Sequence, residues 1–148
     1  MGRRTIITAV LIGALAAAGA GCGGDDEAAD EGPQEITVTA DEYSFELSDT
    51  PVAGPATFTL DNVGEERHEL IVAQLAPDAS ADDAIRAQGR EGTTELVRRV
   101  VAEPGEQSER AVEVELEPAN YLLLCTFSTK GEPHFTLGQR EELEITGG

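Results

Sequence analysis

From Glu35 onward, apolar and polar positions alternate with a period of two. Ile36, Val38 and Ala40 are followed in the same manner by Phe45 and Leu47, then by Ala56, Phe58 and Leu60. Leu70 and Val72 continue the pattern after His68, as do Val112, Val114 and Leu116, and finally Leu143 and Ile145. Alternation of this kind predicts strands with one face on a core. Tyr121 to Phe127, reading YLLLCTF, is almost wholly apolar and predicts a central strand buried on both faces. Thr50-Pro51, Ala53-Gly54-Pro55, Asn62-Val63-Gly64, Glu103-Pro104-Gly105 and Glu117-Pro118 separate the runs as turns. About seven short strands so punctuated indicate an all-β fold, an antiparallel Greek-key β-sandwich over residues 35–148. One stretch departs from the pattern. Residues 78–102 begin with Ser80-Ala-Asp-Asp83 and AIRAQGR, then restart at Thr93 or Thr94 before ELVRRVV. They read as a helical insertion of one or two short helices, capped by hydroxyls and broken at Gly89 and Gly92.

The N-terminus follows different rules. Arg3 and Arg4 precede an apolar stretch from Ile6 to Ala18, and Gly19-Ala20-Gly21 leads to Cys22. The apolar part is too short to span a bilayer and has the layout of a signal peptide over residues 1–21. A cysteine directly after small residues resembles the lipobox of bacterial lipoproteins, which implies acylation at Cys22. Gly19 stands where that motif usually has Leu, so a plain secretory signal is the alternative. The paired arginines also suit twin-arginine export, though the rest of that motif is poor. Either way, export is expected: acylation would hold the chain on the outer face of the cytoplasmic membrane, the periplasmic side, and a plain signal would leave it secreted. The segment GGDDEAADEGPQ that follows Cys22 is small and acidic, a solvated tether that reaches at most roughly 40 Å.

Charge narrows the partners. There are 29 Asp+Glu against 10 Lys+Arg, a net charge of -19, and every acid lies at or after Asp25. Such a surface argues against nucleic acid and anionic lipid, so membrane contact is expected only through the N-terminal lipid. Aromatics are 4% and Trp is absent, which disfavours base stacking. A monomer that docks on a basic patch of a partner protein is the matching expectation.

Scarcity then points to chemistry. The chain has two His, His68 and His134, two Cys, and one Met at its first position. With Cys22 acylated, Cys125 is an unpaired thiol in an exported protein, and such a thiol is expected to be buried, metal-bound or reactive. His68 opens the run HELIVAQL; Cys125 lies near the end of the most apolar run; His134 and Gln139 follow in CTFSTKGEPHFTLGQREELEI. Here the sequence resembles the cupredoxins, the type 1 blue copper proteins, over roughly residues 35–146. The resemblance implies one copper ion, with His68, Cys125 and His134 as ligands and Gln139 in the place of the axial Met, as in stellacyanin-like members. It implies single-electron transfer rather than catalysis. The sequence departs from the family at three points. Gln139 replaces Met, which lowers the expected potential. His134 comes nine positions after Cys125, a longer interval than in plastocyanin-like loops. Glu69 follows His68 where Asn is common, which removes an expected hydrogen bond between the loops.

Taken singly, each residue also has an ordinary reading: Cys125 as a small buried hydrophobe, His68 as a strand-edge residue, His134 as a loop histidine. Other functions compete. The same ligands suit a copper chaperone or store, and the fold alone suits a metal-free partner-binding domain. A Cys125–His134 nucleophile–base pair stands further off, since no oxyanion hole or third orienting group is evident, and so does a His2Cys zinc enzyme, since the sandwich pattern and Gln139 argue against an open position.

Overall fold

In the computed structural model the described residues are 32–87 and 92–147. The expected signal segment 1–21, the expected acylation site Cys22 and the expected tether as far as residue 31 lie outside them. No helix among the described residues is long and apolar enough to cross a membrane. The elements in chain order are β1 (Gln34–Asp41), β2 (Ser44–Leu47), β3 (Gly54–Asn62), β4 (His68–Leu75), α1 (Ala81–Arg86), β5 (Thr93–Ala102), β6 (Val112–Leu116), β7 (Ala119–Leu124), β8 (Ser128–Thr129), β9 (Glu132–Pro133), α2 (His134–Leu137) and β10 (Arg140–Ile145).

Two four-stranded sheets form, ordered β2-β1-β3-β6 and β10-β7-β4-β5. Their inner faces meet in one core. Ile36, Val38, Phe58, Leu60, Leu70, Val72, Tyr121 and Leu123 all lie in it, as the period-two pattern predicts. Burying these side chains contributes about 1.5–3 kcal/mol for each large one. Of the run YLLLCTF, β7 takes Tyr121 to Leu124, which are covered on both sides, while Thr126 beyond the strand is exposed. Tyr121, Leu123 and Cys125 face the main core, whereas Leu122 packs with Ala81 and Ala84 of α1 in a second cluster. Helix α1 therefore roofs the outer face of β7, which explains why that strand carries no polar alternation.

Two expectations are corrected. The sandwich is not purely antiparallel, because β1 and β3 pair in parallel, with Ile36 opposite Phe58. The β1–β2 hairpin sends the chain back, the loop after Leu47 passes to the other edge of β1, and β3 then runs in the same direction as β1. Turn signals report hairpins, not such crossovers. The helical insertion at 78–102 is helical only in its first half. Ser80 caps α1 by accepting a hydrogen bond from the Asp83 amide, but Thr93–Ala102 is strand β5, paired antiparallel with β4. Thr93, Thr94, Val97, Val100 and Val101 are β-branched, and β4 offers them an unpaired sheet edge. Tertiary pairing overrides the hydroxyl-plus-acid start signal.

Candidate metal centre

The sandwich delivers its chemistry at one pole. Asn62 ends β3 and organises the turn before β4. Its Nδ2 donates to the carbonyls of Glu66 (2.7 Å) and Ala102 (3.1 Å), and its Oδ1 accepts from the Gly64 amide at 3.0 Å. The turn closed in this way brings His68 in as the first residue of β4, fully buried. Cys125 follows β7 directly. Its amide donates to the Gln139 carbonyl (3.2 Å), and its own carbonyl accepts from the Phe135 amide at 3.0 Å. The His134 amide donates to the Phe127 carbonyl at 2.7 Å, and the Gln139 amide to the His134 carbonyl at 3.0 Å. The whole stretch from Cys125 to Gln139 is thereby tied to itself by backbone bonds.

The nine-residue interval is accommodated by a miniature hairpin. β8 pairs with β9, and Lys130 and Gly131 turn between them at φ 54° and 87°. The extra residues project outward and leave His134 beside Cys125. The single turn α2 ends at Gly138, whose φ of 125° favours glycine and where a Cβ would lie a tight 3.2 Å from the Tyr43 carbonyl. Gln139 is thus turned inward.

These elements bring together all four residues singled out by sequence. One ligand atom each from His68, Cys125 and His134 lies within 4.8 Å of the others. Cys125 Sγ is 3.5 Å from His134 Nδ1, and the two imidazole rings meet edge to face with centroids 5.2 Å apart. Gln139 Nε2 donates to the Asp41 carbonyl at 3.1 Å. Only the amide's nitrogen end can serve a carbonyl, so Oε1 is the free end. Among the described residues, His68 Nδ1 and Gln139 Oε1 are the buried side-chain polar atoms without a hydrogen-bond partner. Orphaned buried acceptors are costly and call for an explanation. A metal ion supplies one: a thiolate, two imidazole nitrogens and an amide oxygen suit a thiophilic transition metal, not Mg or Ca.

The electrostatics fit. Burial pushes the His68 pKa down, against the pull of Glu42, so the ring is neutral with a lone pair to offer. Burial pushes the Cys125 thiol up, partly offset by the Glu69 amide donating to Sγ at 3.4 Å. Taking up a metal there requires displacing the thiol proton. Among the described residues Cys125 is the free cysteine, and it is buried.

One sequence expectation needs correction. Glu69 does not remove the tie between loops; it makes one. Fully buried, its Oε1 accepts from the Thr126 amide at 3.0 Å and from the Thr126 hydroxyl, while Oε2 faces Arg99 Nη1 at 3.4 Å. β4 and the Cys125 loop are joined by a carboxylate instead of an amide.

Four residues of the pole escaped the sequence reading. Glu42 Oε1 lies 3.4 Å from His68 Nε2, and Glu66 Oε2 lies 3.2 Å from His134 Nε2. The Thr129 hydroxyl donates to Glu66 and sits 3.0 Å from His134 Nε2. Tyr43 donates to Glu66 at 3.3 Å and covers His134 with its ring, centroids 4.8 Å apart. Burial pushes the Glu42 carboxyl up, but the amides of Glu66 and Glu65 together win and hold it below its usual range.

No protein-family model and no curated protein matches the sequence. Solved structures do. Reduced auracyanin from the photosynthetic bacterium Roseiflexus castenholzii superposes with a TM-score of 0.55 at 18% identity, over 78% of this chain and 100% of its own. Auracyanin B gives 0.54 at 20% identity, over 80% and 93%. Auracyanin A of Chloroflexus aurantiacus, described as a "blue" copper protein, gives 0.54 at 19% identity, over 78% and 100%. At these identities the likeness speaks for architecture, and with two facing sheets carrying a His-Cys-His cluster at one pole, the chain has the cupredoxin fold.

Proposed function

We propose that this protein binds one copper ion and carries single electrons, with His68 Nδ1, Cys125 Sγ, His134 Nδ1 and Gln139 Oε1 as the donors. The observation that carries the reading is that two orphaned buried acceptors, His68 Nδ1 and Gln139 Oε1, belong to the same pole as a buried thiol and a second imidazole. Two imidazoles and a thiolate with one weak axial group form the ligand set of electron-transfer copper. When bound, copper supplies reversible one-electron chemistry. The chain's own task is to hold the donors still. The Cys125–Gln139 backbone bonds, the Glu69–Thr126 tie and the Asn62 turn fix each donor to the sandwich, so little needs to rearrange when charge changes. The pole excludes water, since His68, Cys125, His134 and Gln139 are each at most 1% exposed.

Titration with Cu(II) tests the reading. One equivalent is expected to bind, with an intense visible charge-transfer band and a paramagnetic signal, and Cys125→Ser is expected to abolish the band. A band that persists in the variant sinks the assignment. Absence of stoichiometric uptake would leave a metal-free partner-binding domain, and Cu(I) binding without reversible cycling would leave a copper store.

The same proposal extends to location. Export and acylation at Cys22 would place the domain on an acidic tether at the outer face of the membrane, which the arginine, apolar and small-residue segments of positions 1–22 support. Cys22→Ala is expected to release the protein from the membrane fraction. The partner would present a basic patch: Glu42 and Glu66, with side chains 27% and 32% exposed, put negative charge beside the imidazoles. Association is then expected to weaken as salt rises.

A further inference from the structure

Both imidazoles at the pole are buried, His68 at 0% and His134 at 1% exposure, and each has a carboxylate beside its outer nitrogen: Glu42 at 3.4 Å from His68, and Glu66 at 3.2 Å from His134, whose Nε2 also meets at 3.0 Å the Thr129 hydroxyl that donates to Glu66. The two carboxylates are held in different ways. Glu42 Oε1 accepts from the amides of Glu65 and Glu66, both at 2.8 Å, within the turn that Asn62 closes. Gly64 makes this cradle available, because a Cβ there would lie 2.3 Å from Glu42 Oε1. Glu66 accepts instead from the hydroxyls of Tyr43 and Thr129.

A neutral imidazole has one N–H. With a carboxylate beside Nε2, the proton is favoured there and Nδ1 keeps its lone pair: that of His134 lies 3.5 Å from Cys125 Sγ, and that of His68 is buried without a hydrogen-bond partner. Negative charge behind the ring also makes it a more basic ligand. That effect is larger for the more positive oxidation state of a bound metal, because attraction scales with charge.

Resting on the copper reading above, we propose that Glu42 and Glu66 are positioning residues that fix both imidazoles with Nδ1 inward and bias the site toward Cu(II), making the protein a low-potential carrier. Solvation alone does not account for their placement. Both side chains are partly exposed and could point to water, yet each is drawn in by two donors besides the imidazole.

The test uses the full copper-loaded protein and reads its midpoint potential together with the charge-transfer band. Glu42→Gln and Glu66→Gln keep shape and remove charge. Each is expected to lower the ratio of Cu(II) to Cu(I) affinity about tenfold, which raises the one-electron potential by about 59 mV. Gly64→Ala leaves both carboxylates in the chain but displaces that of Glu42, and it is expected to shift the potential in the same direction as Glu42→Gln. Thr129→Val loosens Glu66 and provides the matching check should Glu66→Gln fold poorly. A wild-type band with wild-type potential in the Gln variants overturns the inference and leaves the copper reading intact. A wild-type protein that takes up no copper overturns both.

Discussion

The interior of the sandwich and its donor pole are buried to the same degree and built on opposite rules. Between the sheets the cluster from Ile36 to Ile145 consists of apolar residues, with Tyr121 placing its hydroxyl at the edge, on the Glu117 amide at 3.0 Å. At the pole lie the five buried polar residues of the described chain, Asn62, His68, Glu69, His134 and Gln139. Interior positions need only the right face and volume. Pole positions need a specific partner for each atom, because an unpaired buried polar group costs about 1–3 kcal/mol. Almost every atom has one. The two exceptions aim at the same small space, so the polar pole is organised around donors, not around stability.

Mutations should separate the two regions. The largest expected loss is in the interior: Phe58→Ala should cost about 4 kcal/mol in denaturant unfolding, since it leaves a cavity where the side chain is fully buried. The copper band of the folded fraction should not change. Glu69→Ala should cost less, about 2 kcal/mol, by leaving the Thr126 amide without its acceptor. It should nonetheless move the copper band, because Glu69 also ties β4 to the Cys125 loop. An unmoved band would mean that the pole tolerates slack as the interior does.

A third effect is read by pH in the metal-free protein. His68 has its pKa lowered from 6.5 in the fold, so below about 6.5 the unfolded chain binds a proton that the folded one refuses, and stability falls. Cys125 is raised from 9.0, so above about 9.0 the unfolded chain loses its proton first, and stability falls again. Unfolding free energy should therefore peak between these values. Cys125→Ser should remove the alkaline limb and keep the acid one. The smallest effect expected is from Tyr43→Phe, about 0.5 kcal/mol, for one partly exposed hydroxyl bond.

The same contrast explains what the sequence made legible. β1, β3, β6 and β10 could be read because one face is wet and one dry, which period two reports directly. β5 was hidden, since Ser80 and Thr93 both carry the hydroxyl start of a helix and nothing local says that β4 lies alongside. His68, Cys125, His134 and Gln139 could be read because His and Cys are so few that a family pattern leaves little choice. Glu42 and Glu66 could not. Their placement beside His68 and His134 depends on backbone amides and hydroxyls brought together from separate loops, and the chain is rich in acids that look alike. Glu69 was misjudged for a related reason. The change from the Asn common in the resembling family hides that a carboxylate can take the same tie by accepting from the Thr126 amide, a partner 57 positions away that the local sequence does not announce.

The direction of β1 has a consequence for how the molecule would be mounted. Its last residue, Asp41, gives its carbonyl to Gln139 beside the donors, while its first, Gln34, lies seven residues back, roughly 23 Å away along an extended strand. There the Gln34 amide grips both the N–H and the C=O of Val52, each at 2.9 Å. Ile145, at the end of β10, pairs with Ala119 far from the donors as well. The proposed leash, entering at Gln34, would therefore pull on the foot of the molecule, where a side-chain clasp would take the strain, and the imidazole end would stand at the opposite tip, turned to whatever approaches from above.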